Sequence, residues 1–177
     1  MAGLTAWQAL FDRAGLGSGQ TAVIAGGAGH LAVQFATHAG ARAIGTGSVR
    51  NRDFVLGLGA AEFVDYTSQD VAASVSGVDV AFDTVGGDTT QSLATLREGG
   101  TIANAPPKQA AAERGVRAEL LVMSPSSAQL AQIAALVASG DVRVEIAETI
   151  PLAEVRRAHA LSEAGHTRGK LVLAVEA

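Results

Sequence analysis

The 177-residue sequence has no cysteine. That removes disulfides, thiolate zinc sites and a cysteine nucleophile. Charge is scarce as well: 17% of residues are charged, for a formal net charge of −4. No run of lysine or arginine interrupts that balance, so there is no basic field to hold nucleic acid, and none is expected as a partner. No apolar stretch approaches the roughly 20 residues a helix needs to cross a bilayer. The N-terminus also lacks a basic segment followed by an apolar signal core. The expectation is a cytoplasmic, soluble protein that engages no membrane. The four histidines are His30, His38, His159 and His166. None stands at metal-ligand spacing with another histidine or a carboxylate, so no metal is expected and each reads as a surface or first-turn residue. Ser48, Ser124 and Ser126 lack the G-x-S-x-G frame of a hydrolase nucleophile. No residue is placed as a catalytic proton donor.

What the chain has in quantity is apolar residues, 48%, and glycine, 21 in all. Its length suits one domain with a sizeable core. Short β-rich runs at Thr21–Ala25, Arg42–Thr46, Glu62–Tyr66, Val78–Asp83, Thr101–Ala105 and Arg117–Met123 alternate with helical stretches. That alternation predicts βαβ crossovers and an α/β fold: a doubly wound parallel sheet of about six strands in the order 3-2-1-4-5-6, the Rossmann arrangement. Thr5-Ala6-Trp7-Gln8 fits a capping box, with Thr5 as N-cap of a first helix running to about Ala14. A helix over Thr89–Leu96 is followed by a turn at Gly99-Gly100, and Ala105–Gly115 reads as a loop. Ser126 caps a helix to about Ser139 in which Leu130, Ile133, Ala134 and Val137 make one buried stripe. Residues 1–140 form the sheet domain. Residues 141–177 form a strand–helix–strand tail: an extended run to Ile150, a helix opened by Pro151, and a last strand over Lys170–Glu176.

The candidate site lies where such sheets bind dinucleotides. Gly26-Gly27-Ala28-Gly29 sits between the first strand and a helical run to Ala39, and Gly27-x-Gly29-x-x-Ala32 fits G-x-G-x-x-[G/A]. Glycines there turn the chain sharply and let a pyrophosphate approach the backbone, while the following helix offers N–H groups and its positive dipole end. After the second strand the sequence reads Thr46-Gly47-Ser48-Val49-Arg50-Asn51-Arg52, with no carboxylate before Asp53. An acid there would accept from the ribose hydroxyls of NAD; a hydroxyl and two guanidiniums suit a 2′-phosphate instead, so NADPH is the expected cofactor. Asp65-Tyr66, ending the third strand, is a candidate wall of the adenine pocket or a plain strand terminus. Val85, Gly86 and Gly87, after Asp83-Thr84, would approach the nicotinamide ribose; the alternative is a simple turn with Asp83 as cap.

Taken in order, Gly3-Leu4-Thr5-Ala6-Trp7-Gln8-Ala9-Leu10, the Gly26–Gly29 turn, Leu58-Gly59-Ala60, Val64-Asp65-Tyr66, Asp79–Gly87, Gly99-Gly100, Pro151-Leu152 and Arg168-Gly169-Lys170-Leu171-Val172-Leu173 resemble the medium-chain dehydrogenase/reductases, in their zinc-free, quinone-oxidoreductase-like branch. The resemblance implies reduction of quinones, enones or related carbonyl compounds with NADPH, and a homodimer built from cofactor domains. Two departures stand out. The branch carries a further substrate domain before the Gly3–Leu10 segment, so the resemblance implies an isolated cofactor-binding portion, engaging a small-molecule substrate only with that domain present. The branch also writes H-G-A-A-G-G-V-G after its first strand, and here the loop is about three residues short. Either the first strand ends early to supply loop, or the loop is too tight to wrap a pyrophosphate. A non-catalytic nucleotide-binding or dimerisation module with the same fold remains the alternative.

Overall fold

The computed structural model describes residues 1–26, 29–85, 89–103, 108–165 and 167–175, with the backbone alone at 108 and 109. Contacts divide the chain into two units, Met1–Val142 and Arg143–Ala177. The first is built on six parallel strands: β1 (Thr21–Ala25), β2 (Arg42–Gly47), β3 (Glu62–Asp65), β4 (Val78–Asp83), β5 (Leu96–Ala103) and β6 (Arg117–Glu119). Their order across the sheet is β3-β2-β1-β4-β5-β6. This is the doubly wound arrangement anticipated from the alternation of runs.

Both faces of the sheet are covered, which is why its central strands read as unbroken apolar runs rather than alternating ones. Ala22, Ile24, Val80 and Phe82 pack on one side with Leu31, Ala32, Phe35 and Ala36 of α2 (Gly29–His38). Val23, Ile44, Val64, Ala81 and Ile102 pack on the other with Val71, Leu93 and Val116. Period-two alternation along each strand divides the two sets. The small side chains of Ala32 and Ala36, fully buried, let α2 lie close on β1.

Several boundaries differ from the sequence reading, each for a tertiary reason. Thr5 is not an N-cap: α1 spans Ala2–Trp7 and continues as a π-helical turn over Gln8–Arg13, so Thr5 lies inside, its hydroxyl donating to the Met1 carbonyl (3.1 Å). Gln8 is instead buried and donates to the Ser124 carbonyl (2.7 Å) and Gln129 Oε1 (2.8 Å), while its own Oε1 accepts from Ser124 N–H (2.9 Å). Long-range partners have outbid the local box. The fourth and fifth strands are joined by α5 (Thr90–Ala94), shorter than expected, because β5 starts at Leu96 and takes in Gly99-Gly100 across an irregularity in its pairing with β4. Two short helices, α4 (Val71–Ser74, capped by Asp70) and α6 (Lys108–Glu113), stand where no helix was read. α3 spans Arg52–Leu56. β6 ends at Glu119 instead of Met123. Ser126 does cap α7 (Ser127–Ser139), accepting from Gln129 N–H at 3.3 Å. Its buried stripe is narrower than predicted: Ile133 is buried, whereas Leu130, Ala134 and Val137 are exposed.

Asp79 ties the amino ends of the strands together. Its carboxylate accepts from Thr21 N–H and from Arg97 Nε, both at 2.8 Å. Burial pushes this carboxyl up, but the Thr21 N–H and the Arg97 guanidinium outweigh it and hold the group below its ordinary 3.8. A carboxyl depressed in the folded state contributes stability that is complete above the unfolded value and drains away as pH falls through the folded value. Asp79→Asn, which can still accept from Thr21, should therefore lose less stability than the parent between about pH 5 and pH 3. Urea melts across that window check this; parallel pH profiles would refute it.

The second unit pairs β7 (Ile146–Pro151) with β8 (Lys170–Ala174) in parallel, joined through α8 (Val155–Glu163). Ile150 and Ala158 are buried. Arg157 of α8 bridges Glu148 of β7 and lies 3.5 Å from Glu154.

Candidate functional site

The parallel register lines up the carboxyl ends of the strands. Ala25 pairs with Thr46 on one side and Asp83 on the other, and Gly47 pairs with Asp65. The described candidate residues of the first unit therefore fall along one edge of the sheet, the edge that includes the point where strand order reverses between β1 and β4.

At the centre, β1 keeps its full length to Ala25 and α2 begins at Gly29. The strand does not shorten to lengthen the loop. Gly26 adopts φ +97°. A Cβ built there would stand 2.8 Å from Thr84 C and Val85 N. The Thr84 N–H and hydroxyl both donate to the Ala25 carbonyl at 2.9 Å, fastening the end of β4 to the end of β1. Gly29 N–H donates to the Gly26 carbonyl, also at 2.9 Å. At Gly29 an added Cβ would touch only Ile24 Cγ2, at an ordinary 3.5 Å. Gly27 and Ala28, and likewise Gly86 and Gly87, lie outside the described residues.

Asp83, buried at the end of β4, accepts from Val85 N–H (2.9 Å) and from the Ser92 hydroxyl (2.6 Å). It shapes the turn and anchors α5. Val85 itself is exposed.

Beyond β2 the chain makes one 3₁₀ turn, Val49–Asn51, before α3. Ser48 precedes it in extended conformation, its hydroxyl accepting from Asn51 Nδ2 at 3.4 Å. Arg50 and Arg52 are exposed on this turn. Four of the predicted residues thus share one turn beside the end of β1. Asp65 Oδ1 accepts from the Thr67 hydroxyl (2.6 Å) and N–H (3.0 Å), and Oδ2 from the Ser68 hydroxyl (3.0 Å). The Thr67 hydroxyl and N–H first, then Ser68 and the Val49 N–H, hold this carboxyl below its ordinary value against the opposing effect of desolvation. Tyr66 is 59% exposed, its N–H donating to the Gly47 carbonyl at 3.3 Å. What sequence reasoning missed is that the third strand delivers a carboxylate beside the end of the second. The D-x-T-S order of Asp65–Ser68 was the available signal, since Asp followed by hydroxyls at +2 and +3 closes an Asx turn.

His30 lies buried in the first turn of α2, and its carbonyl accepts from Gln34 Nε2 at 2.7 Å. His38 and His159 are exposed, and His166 is outside the described residues. Among the described residues no three His, Asp or Glu side chains gather closely enough to hold a metal ion.

Chemically the edge is two unlike halves. The turn after β2 carries a hydroxyl and two permanent cations within five residues, a donor set of the kind a phosphate takes. In the turn after β1 the Gly29 N–H has an acceptor in the Gly26 carbonyl and the space freed by Gly26 is taken by the backbone of the β4 turn, while Gly27 and Ala28, on which a pyrophosphate cradle would depend, lie outside the described residues.

The sequence model of a family described as zinc-binding dehydrogenase matches residues 58–173. A chloroplast envelope quinone oxidoreductase homolog from Arabidopsis thaliana is 33% identical over 98% of this chain and 59% of its own length. A solved quinone oxidoreductase from Coxiella burnetii matches with a TM-score of 0.94 and 37% identity, covering 99% of this chain and 59% of that one. A mycobacterial protein solved in complex with NADPH gives a TM-score of 0.84 at 28% identity, over 99% of this chain and 62% of its own. The chain spans about 60% of the length of these curated relatives.

Proposed function

The chain belongs to the medium-chain dehydrogenase/reductases, in their quinone-oxidoreductase-like branch, and from that premise we propose that it is the cofactor-binding part of an NADPH-dependent oxidoreductase acting on quinones, enones or related carbonyl compounds. Residues 1–140 take the nucleotide in this reading, and residues 141–177 are the part that joins a substrate domain. The observation that carries it is the turn after β2, where Ser48, Arg50 and Arg52 gather with no carboxylate on β2 itself. A 2′-phosphate there would meet charge-assisted donors worth roughly 1.5–3 kcal/mol each, so one good contact gives NADPH about a tenfold advantage over NADH. Fluorescence titration with both cofactors, on the parent and on Arg50→Ala and Arg52→Ala, checks this: the preference should shrink in the variants. Equal affinities in the parent would end the NADPH assignment.

A second reading is a nucleotide-binding or dimerisation module with no chemistry of its own, supported by the packing of Gly26 against Thr84 and Val85. Either way, a homodimer is proposed through β6, which stands at the edge of the sheet. Past its end, Leu121 and Met123 turn inward onto the core while Leu120 and Val122 stay 58% and 69% exposed. An apolar edge of this kind invites pairing with its two-fold mate. Sedimentation should find a dimer at tens of micromolar that Leu120→Glu with Val122→Glu converts to monomer. A monomeric parent, or a dimer indifferent to both changes, would contradict it.

A further inference from the structure

No carboxylate lies on β2 or on the chain after it before Asp53, yet the fold brings one to the turn that follows β2. Parallel pairing sets Asp65, the last residue of β3, opposite Gly47, the last residue of β2. Tyr66 N–H donates to the Gly47 carbonyl at 3.3 Å, which carries the pairing past the end of β3. The Asp65 carboxylate also accepts from the Val49 N–H, on the 3₁₀ turn that Ser48 opens. An acid from the third strand is thereby hung on the turn that carries Ser48, Arg50 and Arg52.

The other partners of Asp65 are the Thr67 hydroxyl (2.6 Å) and N–H (3.0 Å) on Oδ1 and the Ser68 hydroxyl (3.0 Å) on Oδ2. All these donors are neutral, and among the described residues no lysine or arginine bridges Asp65. Hydrogen bonds of this kind favour the ionised carboxyl without cancelling its charge. They also take up most of the roughly four acceptor sites a carboxylate has, which leaves little to accept from a ribose hydroxyl. What remains is a fixed negative charge beside a turn that suits a phosphate.

We propose that Asp65 is a specificity-determining residue that limits the preference of this chain for NADPH, by repelling the 2′-phosphate that the turn after β2 attracts. This rests on the 2′-phosphate reading of Ser48, Arg50 and Arg52 given above, and it adds that β3 opposes what that turn favours. A phosphate monoester carries between one and two negative charges at neutral pH, whereas the 2′-hydroxyl of NADH carries none, so the repulsion falls on NADPH alone. Because the turn faces water, its size is moderate, on the order of three- to tenfold in affinity at ordinary salt.

The test is a fluorescence titration of the full chain with NADPH and NADH, on the parent, Asp65→Asn and Asp65→Ser. Asp65→Asn keeps the shape and an oxygen to accept from Thr67 while removing the charge, Asp65→Ser is a second neutral change, and circular dichroism confirms the fold of both. NADPH affinity should rise about three- to tenfold in each, with NADH affinity held within about twofold. The gain should shrink in 1 M salt, where the Debye length falls to about 3 Å, a response that a purely structural role would not give. Glu62→Gln, which removes a charge from the other end of β3, should leave the ratio of the two affinities unchanged. A parent that prefers NADPH by a ratio that neither Asp65 variant moves beyond about twofold overturns the proposal and leaves the 2′-phosphate reading in place. A loss of NADH affinity in Asp65→Asn with no gain for NADPH also overturns it, and makes Asp65 an acceptor for the ribose. Equal affinities in the parent, unmoved by Asp65→Asn and by Arg52→Ala, remove the 2′-phosphate reading and this proposal together. Equal affinities that Asp65→Asn turns into a preference for NADPH uphold the role of Asp65. Binding of neither cofactor overturns both.

Discussion

Gly26→Val should lower the stability of the protein by about 3–5 kcal/mol, against no measurable loss for Gly29→Ala three positions later. Two costs add at Gly26. Its φ of +97° is a conformation that L residues avoid, most of all β-branched ones. The new Cβ would also stand 2.8 Å from the Thr84 and Val85 backbone, which cannot move without breaking the Thr84 bonds to Ala25. Gly29 opens α2 with ordinary space beside it, and alanine is the better helix former, so that change is neutral or slightly favourable. Urea denaturation of the two variants separates these cases. If Gly26→Val melted within about 1 kcal/mol of the parent, Gly26 would not be pressed on β4.

Oxidation of NADPH by simple quinones or enones should proceed at the uncatalysed rate when this 177-residue polypeptide is the only protein present. Holding two reactants in productive geometry can contribute roughly 7–11 kcal/mol to such a reaction. That contribution depends on fixing the reacting ring against a substrate, which in the proposed function is the work of a joined substrate domain. Water exclusion would likewise need a wall on the substrate side. Stopped-flow or steady-state assays at high protein concentration give the answer. Turnover above background that disappears in Gly27→Val or Gly86→Val would show that this edge builds a working site, and would refute that expectation.

Much of the architecture was legible because it is written in local patterns. The six runs that became strands are short, β-rich and bounded by glycine or polar residues, and their spacing leaves room for one crossover helix each. Parallel pairing and the order across the sheet follow from that spacing. The place of the candidate residues on the sheet was legible too. A parallel sheet brings all its carboxyl ends to one edge, so Gly26, Ser48, Asp65 and Val85 had to come together once the strands were assigned. Misreadings arose where a residue had both a local and a distant option. Gln8 suits a capping box, but burial gave its amide to Ser124 and Gln129. Gly99-Gly100 suits a turn, but the pull of pairing with β4 and β6 carried the strand through it. Leu130 and Val137 have the right period for a buried stripe, yet only the side of α7 that meets Gly3 through Ile133 is covered.

The sequence by itself determined the class of fold, the strand order, the residues at the carboxyl edge and the family, because apolar periodicity, glycine placement and motif order act over short stretches and survive in any packing. It also exposed a deficit of about three residues after the first strand, while leaving open which side of the turn absorbed it. Only the tertiary structure decided that. β1 cannot give up Ala25, which is paired to β2 and β4 at once and bonded twice by Thr84. The shortening therefore falls entirely on the turn. The glycine that opens the turn, Gly26, is required by the neighbouring strand, since the nearest group to the missing Cβ is contributed by a residue 58 positions away along the chain.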